Sequence, residues 1–196
     1  KFIIRKNKKY SDFALGILLH EENLGIDRFV HGNKGYAYIN GKKLVKYIKP
    51  YFPKSNFLDI AHSFIEFAVE IIVINENPEL MKILKSSIEE YNKKNQISKF
   101  FSDYFKLDPL KANESIKEYN KILYNLDIST FDKAVKFYIW VTKNLRGIEI
   151  SEDEIKKILI KSTEIIKDSQ EEFLNKVIQI GRKDYKDYLQ KDLSMK

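Results

Sequence analysis

The chain has 196 residues, a net charge of +7, a pI near 9.2, 43% hydrophobic residues and no cysteine. The length suits one domain, 1–196, with a sizeable core, and the lack of cysteine excludes disulfides and thiolate metal ligands. No run of about 18 apolar residues occurs, which argues against a helical membrane span. No signal peptide is visible, so a cytoplasmic location is expected, with a leader trimmed ahead of Lys1 left open.

Of the 35 basic residues 31 are lysine, and they are spread through most of the chain. A selected phosphate-binding surface favours the arginine fork. The charge is therefore read as a solvated surface, and no strong nucleic-acid binding is expected.

Helical periodicity dominates, and an all-α bundle of about seven to nine helices is expected. The first helix is placed at about 11–31, with Ser11 as its N-cap. It contains His20, Asp27 and His31, spaced i+7 and i+4 and so on one helical face. From Tyr10 to Asp27 it carries no Lys or Arg. A glycine-rich loop follows, and Asn40-Gly41 after Tyr36-Ala37-Tyr38-Ile39 suggests a small hairpin near 35–45. A short helix at about 42–50 ends at Pro50 and Pro53.

The long helix, about 56–76, is apolar almost all round. Its exceptions are Asp59, His62, Ser63, Glu66 and Glu70, and the spacing 59–62–66–70 stacks four of them on one face. From Ser55 to Met81 there are 27 residues without Lys or Arg, where the chain average would place about five. A stripe facing water in so lysine-rich a chain should carry lysine. Buried carboxylates need a cation, because an unpaired buried charge costs several kcal/mol. Further helices are placed near 78–93, 96–106, 112–125 and 130–146, with Trp140 in the core. The last segment, about 151–190, opens on the capping box Ser151/Glu154, with a break near Gly181. Residues 1–77 read as the metal-site half and 78–196 as supporting helices.

Imidazole and carboxylate without thiolate suit zinc foremost, and also iron or manganese. His62-x-x-x-Glu66 and Asp27-x-x-x-His31 each present two donors one turn apart. The bland alternative is core histidines, each hydrogen-bonded to its own partner, in a non-enzymatic helical interaction or scaffold protein.

The order His20, Asp27, His31-Gly32, His62-x-x-x-Glu66 resembles the zinc-dependent phospholipase C and P1-type nuclease superfamily over roughly residues 14–72. The resemblance implies an all-helical metallohydrolase with His20, Asp27, His31, His62 and Glu66 as metal ligands, acting on a small-molecule or lipid phosphoester. It departs from the family in the His20–Asp27 spacing, seven rather than four, and in having no histidine among the 19 residues before His20. A weaker likeness links "LLHEENLG" to the HD-domain phosphohydrolases. For the metal-held water, Asp59, Glu70 and Glu21 are the candidate general bases. Tyr36 and Tyr38 are placed at the substrate mouth, and Lys34, with Lys42 and Lys43, near phosphate. Substrate identity and oligomeric state have no signature in the chain.

Overall fold

The computed structural model describes residues 16, 20, 27–31, 34–52, 56–94, 98–99, 102–103 and 106–193. Among these, eight helices and no strand occur. They are α1 (Asp27–Val30), α2 (Tyr36–Ile48), α3 (Phe57–Glu76), α4 (Glu79–Lys94), α5 (Pro109–Asn125), α6 (Phe131–Arg146), α7 (Glu152–Ile166) and α8 (Gln170–Leu193). The chain is all-α, as expected. The helix expected over 11–31 falls largely outside the described residues, as does most of the one near 96–106. No helix among the described residues is long and apolar enough to cross a membrane.

Local chemistry sets the helix ends. Asp108 caps α5, its carboxylate accepting from the Leu110 and Lys111 amides, with Pro109 in the first turn, where its missing N–H costs nothing. Thr130 caps α6, which ends at Gly147 in the left-handed region (φ 64°). Ser151 and Glu154 form the anticipated reciprocal box: the Glu154 carboxylate accepts from the Ser151 amide at 2.9 Å, and the Glu154 amide donates to the Ser151 hydroxyl at 3.3 Å.

Three expectations are corrected. The hairpin near 35–45 is instead the body of α2. Its buried residues Ala37, Asn40, Gly41, Leu44 and Ile48 follow a helical spacing. Gly41 serves close approach rather than a turn: a Cβ there would lie 3.0 Å from the His62 amide nitrogen and 3.3 Å from the Ala61 carbonyl carbon. The break in the last segment falls at 167–169, not at Gly181, which continues inside α8. Asp168-Ser169 favours a turn there, and Ser169-x-x-Glu172 has capping-box spacing. Trp140 is 38% exposed rather than core.

The chain forms two compact units. One combines residues 1–69 with 157–196, so the metal-site half expected over 1–77 is completed by C-terminal residues. Its buried side chains include Leu44, Ile48, Phe52, Ile60, Phe64, Ile65, Leu159 and Ile166. Phe52 and Phe64 meet edge-on at 6.2 Å, an arrangement contributing about 0.5–1.5 kcal/mol beyond area burial. The other unit, Glu70–Lys156, packs α4 against α5 and buries Met81, Ile88, Ala112, Ile128, Val135 and Tyr138.

Candidate metal centre

Three polar side chains converge in the first unit. His62 and Glu66 lie one turn apart on α3, and His31 follows directly on α1. Their donor atoms all lie within 4.8 Å of one another. The Glu66 carboxylate spans the two imidazoles: Oε1 is 3.4 Å from His31 Nδ1, and Oε2 is 4.0 Å from His62 Nε2. All three are partly buried, with side-chain exposures of 32%, 15% and 26% for His31, His62 and Glu66.

The surroundings set the orientation of His62. Its Nδ1 lies 3.3 Å from the Leu58 carbonyl oxygen, which can only accept, so that contact places a proton on Nδ1 and leaves Nε2 as the ring nitrogen turned toward Glu66. Metal-binding histidines are commonly held in this way through the second ring nitrogen. Tyr38 stacks on the His62 ring at 4.5 Å and 11°, and its hydroxyl donates to Asp59 at 3.3 Å. Asn56 also bonds to Asp59. The two imidazoles meet edge-on at 5.8 Å.

Helix α2 lies behind both histidines. Gly35 is buried where α2 begins, and a Cβ there would fall on the carbonyl groups of Val30 and His31, 2.6 Å from the His31 carbonyl carbon. Gly41 does the same for the backbone at His62. Two glycines six residues apart therefore let the segments bearing both imidazoles approach one helix.

The other residues expected at the site are placed as follows. His20, with its side chain 83% exposed, pairs with Asp27 at 3.5 Å, apart from the converging trio. Asp59 is bound by Tyr38 and Asn56, and Glu70 is exposed. Glu21 lies outside the described residues. Tyr36 and Tyr38 stand on the first turn of α2 rather than in a loop. Tyr36 bonds to the Ser169 hydroxyl at 2.9 Å and stacks on Phe173 at 4.0 Å; burial raises its pKa, against the lowering effect of the Ser169 bond. Lys34, Lys42 and Lys43 are exposed, and Lys43 donates to Asn40. Sequence reasoning missed Gly35, Gly41 and the Tyr38 ring as supports of the site. The only signal for them was the clustering of glycine and tyrosine over 32–41.

Two imidazole nitrogens and a carboxylate fit a divalent transition ion. Bonds of about 2.1 Å in tetrahedral geometry put donors about 3.4 Å apart, so binding an ion requires an inward adjustment of about 1 Å. Comparison of the chain with protein-family models, with curated proteins and with solved structures gives no match.

Proposed function

We propose that the protein is a metal-dependent hydrolase that cleaves a phosphoester, using one divalent transition ion held by His31, His62 and Glu66. The observation behind this reading is the convergence of two imidazole nitrogens on the two oxygens of one partly buried carboxylate. Three protein donors leave a tetrahedral ion one position for water. Such an ion, zinc first and iron or manganese otherwise, lowers the pKa of that water and offsets charge developing on phosphoryl oxygens. The chain's own part is to hold and orient. Leu58 sets the His62 tautomer, Tyr38 fixes its ring plane, and Glu66 keeps both imidazoles on one centre. Asp59 is the carboxylate tied to this end of α3 through Tyr38, and it is favoured over Glu70 as the proton acceptor. The family resemblance supports the phosphoester; the donor set supports the metal and hydrolysis. The competing scaffold reading takes the 3.4 Å His31–Glu66 contact as a plain ion pair.

Elemental analysis of the untagged protein after incubation with Zn, Mn or Fe and desalting separates the two. The expected result is about one bound ion, lost in His62→Ala, together with chelator-sensitive turnover of a chromogenic phosphoester. Protein that stays metal-free with every ion rejects the metal and the enzyme together. Bound metal without turnover of any phosphoester rejects the hydrolase alone.

A further inference from the structure

The second unit contains a cavity of about 680 Å³ between α5 and α6, formed by residues of 118–140. Its two walls share one pattern. Glu118, Lys121, Ile122 and Asn125 on α5 are spaced i, i+3, i+4, i+7, and so are Lys133, Lys136, Phe137 and Trp140 on α6. At that spacing each set forms one stripe along its helix. A pair of packed helices normally fills such facing stripes with aliphatic side chains. Here the aliphatic contribution is Ile122 alone, and the rest is ammonium, carboxylate, amide and aromatic ring. The apolar face of α6, with Ala134, Val135 and Tyr138, is buried elsewhere. The stripe at the cavity is therefore a second, separate face.

The charges on these walls do not cancel evenly. Lys133 is bound to Asp127 at 2.8 Å, which holds that carboxyl down to about 2, and the pair neutralises itself. Lys121 and Lys136 make no ion pair among the described residues, and Glu118 is the one remaining acid on the walls. The Trp140 indole is over a third exposed and lies beside Phe137, with ring centroids 6.1 Å apart and planes 20° apart. The volume falls within the range of small-molecule sites, about 300–1,000 Å³.

We propose that this cavity binds an aromatic or heteroaromatic anion, its ring on Trp140 and Phe137 and its phosphate or carboxylate on the Lys121 and Lys136 ammonium groups. The surplus of one positive charge selects a singly or doubly charged anion over a cation. The aromatic wall selects a flat ring over a simple ion.

Trp140 is the only tryptophan in the chain, so fluorescence excited at the red edge, where the 12 tyrosines do not absorb, reports on this cavity. The full chain is titrated with adenosine monophosphate, benzoate, adenosine and inorganic phosphate, and again as the Lys121→Met/Lys136→Met double variant. Both lysines are exposed on helix surfaces, and circular dichroism checks that the variant is folded. Saturable quenching is expected with adenosine monophosphate or benzoate, weakened about tenfold in the double variant, the factor that accompanies loss of a charge-assisted hydrogen bond. Saturation by the nucleotide alone assigns a phosphate-bearing ligand, and saturation by benzoate assigns a carboxylate. The proposal is overturned if neither quenches saturably. It is equally overturned if adenosine or phosphate binds as well as the nucleotide, or if the double variant binds unchanged.

Discussion

Gly35→Ala tests whether the metal centre depends on the close approach of α2. The added methyl carbon would sit 2.6 Å from the His31 carbonyl carbon and nearer still to the Val30 and His31 carbonyl oxygens. Ordinary carbon contacts lie at about 3.5–4.0 Å, so the backbone at 30–31 must retreat by about 1 Å. All the obstructing atoms are main chain, so no rotamer change relieves the clash. The Gly35 backbone is extended (φ −71°, ψ 150°), a conformation alanine adopts freely, so the cost is steric rather than conformational. Overpacking of this kind costs about 1–3 kcal/mol of stability. Because His31 moves with its own carbonyl, the larger effect falls on the ion. Displacing a ligand's support commonly costs about 10–100-fold in metal affinity. Isothermal titration with zinc, alongside urea unfolding of the metal-free protein, measures both. Gly147→Ala is the matched control: it meets nothing within 4 Å, and its penalty is confined to a left-handed φ, about 1–2 kcal/mol. Wild-type zinc affinity in Gly35→Ala would refute the seating of His31 against α2.

Asp127, held down to about 2 by the Lys133 and Ser129 hydrogen bonds, lies below its ordinary value of 3.8. Its contribution is present above that ordinary value and is lost as the pH falls through about 2. At 37% exposure the effect is under about 1 kcal/mol. Asp127→Asn should lower the urea midpoint at neutral pH and converge with wild type near pH 2, and a deficit of equal size at both pH values contradicts the assignment. Ser151→Ala, which removes the hydroxyl of the α7 capping box, should cost about 1 kcal/mol in thermal unfolding. Glu154→Gln should retain most of the stability because glutamine serves the same role; a neutral Ser151→Ala argues against the cap.

What could be read in advance were the features decided within one or two turns of chain. The limits of α3 and α6 and the box at Ser151 follow from periodicity and capping chemistry. The lysine-free stretch pointed to His62 and Glu66, although Glu70 on the same stripe is exposed, and His31, which lies beyond both lysine-free stretches, was marked only by its i+4 spacing from Asp27. Neither signal could show which acids share one centre: His20 and Asp27 have helical spacing with His31 yet pair with each other. Asn40-Gly41 reads as a turn, since the sequence does not reveal that a second helix passes within 3.0 Å of where a side chain would begin. Trp140 failed for a related reason. Helical spacing identifies the face an aromatic occupies but not whether anything covers that face.

The unit that carries the candidate site is discontinuous. Arg28 reaches Asp184 at 2.9 Å, a separation of 156 positions, and Tyr36 reaches Ser169 across 133. The intervening unit is contiguous, and its side-chain links Glu89–Tyr124 and Asp127–Lys133 span 35 and 6 positions. During synthesis the ribosome releases His31, His62 and Glu66 early but delivers α8 last. The middle unit therefore has all its residues available, and can fold, before the discontinuous unit is complete. Topologically, the 87 residues Glu70–Lys156 are an insert in the unit that carries the candidate site. Doubling the length of such a closed segment costs only about 0.6 kcal/mol in closure entropy. Loops within the middle unit can thus lengthen with little thermodynamic effect on the candidate site, whereas α3 and α7, each of which runs across a boundary between the units, must keep their lengths.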